Sequence, residues 1–323
     1  MQTEFSASLG IEVPLICGAM YPCSNPELVA AVSEAGGIGI VQPLSLSYVH
    51  GYDFREGLRY IRSLTQKPIG VNLIVERSSK RYLKRVEAWL EIALEEAVPF
   101  FVTALGNPRW VVEKAHAAGA LVYHDVTSRR WAEKALESGV DGFICVNDRA
   151  GGHAGALSPQ RLLDELTPLG KPLVCAGGIG SPEVFAETLR AGYVGAQLGT
   201  RFIATQECSA HDDYKQAILR ARESDIVLSE KISGVPVSII RTPYIERMGT
   251  HAGPLAKWML RGNRTKHWMR TIYSLQSIWK LKRASLRASG YKDYFQAGKS
   301  VEDIHQILPA GDLVAEFAQA IGG

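Results

Sequence analysis

Short apolar segments and longer amphipathic segments alternate along residues 13–208. The short runs are rich in branched apolar residues without polar interruption, which predicts eight fully buried strands. They are Leu15–Cys17, Ile38–Val41, Ile69–Asn72, Phe100–Thr103, Leu121–His124, Gly142–Val146, Leu173–Ala176 and Val194–Leu198. Between them, apolar spacing near 3.6 predicts helices such as Pro26–Ala35, Lys80–Ala97, Pro108–Ala118, Arg129–Ser138 and Pro182–Ala191. This order predicts an α/β fold, and eight units in roughly 200 residues favour a (β/α)8 TIM barrel.

The predicted helices share start and stop signals. A residue with a side-chain acceptor precedes a proline at four of the starts, which predicts an N-cap followed by proline at the first helical position. These pairs begin at Asn25, Asn107, Ser158 and Ser181. Glycine follows several of the helices, as expected of helix ends. The loops that leave the strands therefore gather on one face, which holds the active site in a TIM barrel.

The strand–helix rhythm stops at about residue 210, and we predict two parts. Residues 1–210 form the barrel, and residues 211–323 form a mostly helical, basic lid or appendage whose final helix packs on the barrel. The predicted elements of the second part are a helix over Asp213–Arg222, a strand-like or irregular segment over Ile226–Arg241, an amphipathic helix over Trp258–Ala288 and a helical tail over Val301–Ile321.

Composition is that of an ordinary globular protein, with 323 residues of which 46% are hydrophobic. No apolar run is long enough for a membrane span, and no export signal is visible. The five cysteines are scattered without metal-ligand spacing, so we expect reduced thiols in a cytoplasmic protein.

The net charge of +3 conceals a basic segment at 241–292, in which Glu246 is the sole acid. Such a segment suits nucleic acid, an anionic membrane surface or a phosphate-bearing ligand, or it is a solvated helical face.

Glycine turns follow the last two predicted strands. Gly177-Gly178-Ile179-Gly180 comes after the seventh strand, and Gly199-Thr200 comes after the eighth. TIM barrels commonly bind phosphate at these two loops, where glycine lets backbone N–H groups approach the oxygens. The two adjacent turns therefore predict a phosphate site.

Two other strand ends offer groups for a flat heteroaromatic ring. Gly18 and Ala19 permit close backbone approach after the first strand, and Asn72 offers donors and acceptors at the third. Tight packing at the rim and a turn satisfied by the asparagine are the alternatives. A further loop surrounds His153 with Gly151, Gly152 and Gly155, so that a flexible turn could bring an imidazole to a substrate.

Together these segments resemble the nitronate monooxygenase family and the related FMN-dependent enoyl-carrier-protein and NADH:quinone reductases. The matching stretches are PLICGAM, EAGGIGIV, KPIGVNLIV, TALGNP, GVDGFICVNDRAGGHAG, CAGGIG, GAQLGTRFIATQEC and, more distantly, QAGKS at 296–300. The resemblance implies non-covalently bound FMN in a TIM barrel, with His153 over the reactive side of the flavin as catalytic residue. The cofactor-binding residues that we predict on this basis are Gly18, Ala19, Met20, Asn72, Gly151, Gly152, Gly177, Gly178, Gly180, Gly199 and Thr200.

The chain also departs from this pattern. Cys17-Gly18-Ala19-Met20 stands where relatives often have Gln-Gly-Gly-Met, and His124-Asp125 stands where some relatives carry a lysine near the flavin. An acid at that place disfavours an electron-rich reduced flavin, so we expect different redox tuning.

Three functions follow as hypotheses. The first is oxidation of alkyl nitronates or nitroalkanes with O2, and the second is an NADH- or NADPH-dependent flavin reductase acting on an enoyl thioester or quinone. The third is a non-catalytic binding protein that uses the basic segment. We expect a small-molecule substrate, no nucleic acid and no membrane span, with a homodimer as one option. The histidines lack paired ligand spacing, so no metal site is predicted.

Overall fold

The computed structural model describes residues 1–76, 79–230, 236–250, 282, 285–286 and 294–322. Eight parallel strands close into one barrel in chain order, as predicted. The strands are β1 (Leu15–Cys17), β2 (Ile38–Val41), β3 (Ile69–Ile74), β4 (Phe100–Ala104), β5 (Leu121–Val126), β6 (Gly142–Val146), β7 (Leu173–Ala176) and β8 (Gly195–Leu198). Pairing of Leu15 with Ala196 joins β1 to β8 and completes the barrel.

Helices cover the barrel between the strands. They are α2 (Pro26–Glu34), α3 (Phe54–Leu64), α4 (Lys80–Glu95), α5 (Arg109–Ala117), α6 (Arg129–Leu136), α7 (Pro159–Leu166) and α8 (Pro182–Arg190), with a π-helical turn over Ser45–Val49 before α3. Apolar side chains that point outward from the strands pack against these helices, while a second apolar cluster fills the barrel interior. The fold therefore has two concentric layers of core, as expected of a (β/α)8 barrel.

The four predicted helix starts differ in detail. The Ser158 and Ser181 hydroxyls accept bonds from the backbone N–H of Arg161 and Val184, at 3.3 and 3.4 Å, as N-caps do. Asn25 makes no side-chain cap and instead donates to Glu27 and to the Glu207 carbonyl. Asn25 therefore ties α2 to a distant segment, and its predicted capping role is wrong. The fourth start is also shifted, because α5 begins at Arg109 with Pro108 as its N-cap, and Asn107 Oδ1 accepts from the Arg109 N–H at 2.9 Å.

A helix that was not predicted, α1 (Glu4–Leu9), closes the N-terminal end of the barrel. Its Phe5 is fully buried, with ring centroids 5.7 Å from Phe100 and 5.5 Å from Tyr123 inside the barrel. Thr3 fixes the start of the helix by accepting from the Ser6 N–H and donating to the Val194 carbonyl. We call Phe5, Phe100 and Tyr123 the floor of the barrel.

The described elements after residue 199 are α9 (Thr200–Ile203), α10 (Asp212–Arg220), a 3-10 turn over Glu223–Asp225, the antiparallel strands β9 (Ile226–Ser229) and β10 (Val237–Ile240), α11 (Pro243–Met248), a 3-10 turn over Lys299–Asp303 and α12 (Ala310–Ile321). Helix α12 packs on α2 and α8. The predicted helix over Trp258–Ala288 lies almost wholly outside the described residues, and the division at residue 210 stays a prediction. Within the described ranges, no helix is both long and apolar enough to cross a membrane.

Candidate functional site

The C-terminal end of the barrel opens into a mouth lined by half-buried residues. Side chains at alternate strand positions point inward, and the earlier ones in each strand are buried. The later inward positions remain half-buried. These residues, which we call the mouth, are Asn72, Ala104, Asp125, Val146 and Gln197. The mouth is thus the accessible end of an otherwise filled barrel.

The two glycine turns lie side by side at one edge of the mouth, because β7 and β8 are neighbours. Gly177 and Gly178 both have positive φ, 120° and 82°, a conformation that favours glycine. A methyl group at Gly178 would lie 2.6 Å from Nε of Arg149, so this guanidinium rests directly on the turn. The predicted phosphate turns are therefore adjacent, and a cation that was not predicted lies against one of them.

Arg149 belongs to a small group of charges beside these turns. Its guanidinium bonds both carboxylate oxygens of Glu223, at 3.1 and 2.7 Å, and Nζ of Lys299 is 3.4 Å from the same carboxylate. Partial burial acts to raise the pKa of Glu223, but bonding to the two cations outweighs it and the pKa is lowered. Two acids adjoin this group, because Asp303 lies against Gly180 and interacts with Arg149, and Glu302 accepts from the Glu223 N–H at 2.8 Å.

The turn after β1 lies at the same edge of the mouth as the two glycine turns. The Gly18 N–H donates to the Leu198 carbonyl at 2.9 Å, and a methyl group at Gly18 would lie 3.0 Å from Cγ of Gln197. A methyl group at Gly199 would lie 3.6 Å from Sδ of Met20. Gly18, Met20 and Gly199 are therefore brought together as predicted for one site, with half-buried Ala19 on the same turn.

Asn72 lies within β3, which continues to Ile74, so it is not in a turn. Its side-chain amide donates to the Val102 carbonyl on β4 at 3.2 Å. The residue faces the mouth and remains half-buried, so its acceptor oxygen lies in the part of the barrel where we predicted a ring-binding group.

Three glycines fix the loop that carries His153. Gly152 exchanges backbone hydrogen bonds with Ser238 of β10, at 2.7 and 3.3 Å. A methyl group at Gly151 would lie 2.8 Å from the backbone N of Gly298, and one at Gly155 would overlap the Val146 carbonyl. These glycines permit close backbone approach, and the expectation that they make the turn flexible stays a prediction.

Residues 296–300 hold that loop from the other side. The Lys299 N–H donates to the Arg149 carbonyl at 2.9 Å, and the Gly298 N–H donates to the Thr200 hydroxyl at 3.0 Å. We call β10 and residues 296–300 the clasp. Through the clasp, the His153 loop and the turn after β8 become one connected unit.

Two predicted cofactor residues take part in this packing. The Thr200 hydroxyl accepts from the clasp, and a methyl group at Gly180 would overlap the Ser300 carbonyl. The presence of glycine at position 180 is thus explained by its close contact with residues 300–303. The binding of a cofactor by Thr200, Gly180, Gly151 and Gly152 stays a prediction.

His153 itself projects from the clasped loop and is exposed. Desolvation by the surrounding protein atoms lowers the pKa of its imidazole. Because the ordinary value is about 6.5, the ring is neutral at pH 7 and can accept a proton. The structure thus presents a neutral base at the rim of the mouth.

His124 and Asp125 occupy different environments although they are consecutive. His124 points outward from β5, where its Nδ1 lies 2.8 Å from the Thr103 hydroxyl, and burial lowers the pKa of the ring to about 4. Asp125 faces the mouth, and burial raises the pKa of its carboxyl to about 7. Of His124 and Asp125, only Asp125 faces the mouth.

Several residues of this region carried no signal that a sequence pattern reveals. Arg149, Gln197 and Lys299 stand in loops or in a strand without a distinctive spacing, and each is placed by contacts with distant segments. The available signal was their position in three stretches that resemble the family, NDRAGGHAG, GAQLGT and QAGKS. Within the described ranges, no group of three or more His, Cys, Asp or Glu side chains is arranged to hold a metal ion.

Comparison with known proteins gives consistent results. The acyl-CoA derivative dehydrogenase of Rhodococcus jostii, named (3aS,4S,5R,7aS)-5-hydroxy-7a-methyl-1-oxo-octahydro-1H-indene-4-carboxyl-CoA dehydrogenase, is 28% identical over 78% of this chain and 69% of its own. A probable nitronate monooxygenase of Staphylococcus saprophyticus is 27% identical over 82% of this chain and 86% of its own.

Among solved structures, FabK from Thermotoga maritima superposes with a TM-score of 0.81 at 26% identity, covering 99% of this chain and 96% of that one. Nitroalkane oxidase from Streptomyces ansochromogenes, at 24% identity, has the same fold, with a TM-score of 0.74 over 96% of this chain and 97% of that one. Residues 2–320 match the family model described as nitronate monooxygenase. The chain therefore belongs to the nitronate monooxygenase family and is an oxidoreductase of that family.

Proposed function

We propose that this protein is an FMN-dependent oxidoreductase of nitronate monooxygenase type, which oxidises nitroalkanes or alkyl nitronates with O2. The observation that carries the proposal is the clasped His153 loop, which is joined through Gly298 and Thr200 to the glycine turn after β8. A phosphate site and a base would thus be held in fixed relation across one barrel mouth.

The residues present fit an FMN molecule. Half-buried glycines at 177 and 199 leave the backbone accessible at the edge where TIM barrels bind phosphate, and the guanidinium of Arg149 lies against the turn at Gly178. Gly18, Gln197 and Asn72 offer backbone and amide groups along the remaining mouth. When bound, the flavin would supply the redox chemistry, while the protein supplies binding and orientation.

The direction of the His153 pKa shift selects between two roles for the imidazole. A neutral ring can remove the acidic α-proton of a nitroalkane, whereas a preformed nitronate anion would be bound better by a protonated ring. Because desolvation lowers the pKa, the neutral form dominates at pH 7. We therefore favour proton abstraction from nitroalkanes as the task of His153.

A second candidate is a flavin oxidoreductase that acts on a thioester and exchanges electrons with NADH or NADPH. The observation in its favour is the 28% identical relative named as a dehydrogenase of a carboxyl-CoA compound. Lys282 of the basic segment also reaches the rim after β2, where its Nζ donates to the Tyr48 carbonyl at 2.7 Å. Basic groups at the rim suit the phosphates of such substrates.

The test begins with the absorption spectrum of the purified protein and, if it is colourless, with titration of added FMN. We expect one flavin per chain. Anaerobic mixing then separates the candidates: bleaching by a nitroalkane or propyl nitronate supports the first, and bleaching by NADH or NADPH alone supports the second. A protein that binds no flavin under either condition overturns both.

A further inference from the structure

Asp125 is the acidic member of the mouth, whose other members are Asn72, Ala104, Val146 and Gln197. It stands on β5 opposite Ile144, and the half-buried inward residues at the ends of the neighbouring strands β4 and β6 are Ala104 and Val146. Its Oδ1 is fully buried and has no hydrogen-bond partner among the described residues. A buried carboxylate oxygen without a partner is costly, because nothing replaces the lost hydration.

No described cation compensates this carboxylate. On β5 itself, His124 faces the opposite side of the strand, towards Thr103. On β6, the thiol of Cys145 interacts electrostatically with Asp125, but burial raises the pKa of that thiol well above its ordinary value, so it is uncharged. The guanidinium of Arg149, on the loop after β6, is already bonded to Glu223. Asp125 therefore has no cationic partner among the described residues.

We propose that Asp125 couples proton uptake to reduction of the cofactor: it is partly ionised while the mouth holds oxidised flavin, and it becomes protonated when the flavin is reduced. The inference rests on the proposed FMN dependence. The step is balanced, since the reducing substrate supplies two electrons to the cofactor and solvent supplies one proton to the carboxylate. No bond forms between Asp125 and the cofactor.

Two physical arguments support this role. Burial raises the pKa of Asp125 to about 7, so both protonation states are accessible near neutral pH. Reduction adds negative charge to the mouth, and a nearby negative charge raises the pKa of a carboxyl further. The protonated carboxyl then also gains an O–H that can donate to an acceptor in the mouth.

The experiment compares the midpoint potential of bound FMN in the wild type and in Asp125→Asn between about pH 5 and 9. Asparagine keeps the shape of the side chain and cannot titrate. Uptake of one extra proton per two electrons adds a slope of about 30 mV per pH unit. We expect this additional slope around and above pH 7 in the wild type and its loss in the variant.

Asp312→Asn is the matched control, because Asp312 is exposed on α12, and it should follow the wild-type curve. Infrared difference spectra between oxidised and reduced protein give an independent measurement. A carboxylic acid signal should appear on reduction in the wild type and be missing from Asp125→Asn.

The outcomes are distinguishable. Equal slopes for wild type and Asp125→Asn, with flavin bound to both, would overturn the inference and leave the proposed function intact. Failure of the wild type to bind flavin would overturn the proposed function instead. If Asp125→Asn does not fold, infrared titration of the wild type alone decides: a carboxylate that stays ionised on reduction contradicts the proposal.

Discussion

The floor and the mouth of the barrel are built from the same strands but differ in burial and in polarity. At the floor, Phe5, Phe100 and Tyr123 are buried and make ring contacts with one another. At the mouth, Asn72, Asp125 and Gln197 are half-buried and polar. One end of each strand thus stabilises the fold, and the other end leaves polar groups available for a ligand.

The mouth, unlike the floor, also contains features that lower the stability of the fold. One carboxylate oxygen of Asp125 is buried without a partner, and the His153 loop is held only because glycines allow the clasp to approach it closely. Such features are retained where binding or chemistry needs them. The following predictions separate the two ends, starting with the largest expected effect.

Replacing Phe5 by alanine should strongly destabilise the protein. The ring is fully buried between Phe100 and Tyr123, and loss of a buried phenylalanine typically costs about 3–5 kcal/mol. The free energy of unfolding, measured with urea, should fall by that amount. Flavin binding by the folded fraction should be unchanged, because the floor lies at the opposite end of the barrel.

Leu64→Ala is the control, because Leu64 is an exposed apolar residue and its truncation should change the free energy of unfolding by less than about 0.5 kcal/mol. If Phe5→Ala loses flavin affinity while its stability is unaffected, the separation of floor and mouth is wrong.

Replacing His153 by alanine should slow flavin reduction by a nitroalkane about a hundredfold, the size of a general acid–base contribution, while flavin remains bound. Because the imidazole must be neutral to accept a proton, the wild-type rate should fall as the pH drops through a pKa below the ordinary histidine value. Stopped-flow absorbance measures both effects. His116→Ala, at an exposed site on α5, should keep the wild-type rate, and an equally fast His153→Ala would remove the base from the proposed mechanism.

The barrel was predictable because each strand and helix has its own local pattern. Helix α1 was missed because six residues give too little periodicity to recognise. The adjacency of the glycine turns at Gly177 and Gly199 followed from strand order, since consecutive strands of a barrel are neighbours. The fold and one edge of the candidate site could thus be predicted from the sequence.

The clasp could not be predicted, because it depends on a contact between Gly151 and Gly298, which are far apart in the chain. The sequence alone therefore did not show which backbone segments these glycines allow to approach. The pKa of Asp125 was also out of reach, because it depends on burial and missing partners rather than on neighbouring residues. Both are properties of tertiary packing.

Replacing Gly298 by alanine should disturb the clasp. Its added methyl group would lie 2.6 Å from the Arg149 carbonyl and 2.7 Å from the Gly151 N, so the backbone must shift. Overpacking of this kind typically costs about 1–3 kcal/mol. We expect a lower free energy of unfolding together with slower flavin reduction, since the His153 loop moves with the clasp.

Gly311→Ala is the matched control, because a methyl group there meets no atom of the described residues within 4 Å and the residue lies in α12. It should stabilise the protein by about 0.5–1 kcal/mol, since alanine loses less backbone entropy in a helix. A Gly298→Ala variant that reacts at the wild-type rate would show that the clasp does not position His153.

The last prediction is the effect of Asp125→Asn on stability, which depends on pH. The folded-state pKa of Asp125 is about 7, above the ordinary value near 3.9, so the folded protein holds this proton more tightly than the unfolded chain does. The stabilisation from the protonated carboxyl is complete below about pH 4 and is lost as the pH rises towards and through 7. Asparagine has no such dependence, so the variant should gain stability relative to the wild type over that range. Thermal unfolding of both proteins at several pH values measures the difference. Parallel curves would mean that Asp125 is ionised in the folded protein as it is in the unfolded chain, and the mouth would then have to contain a group that compensates its charge.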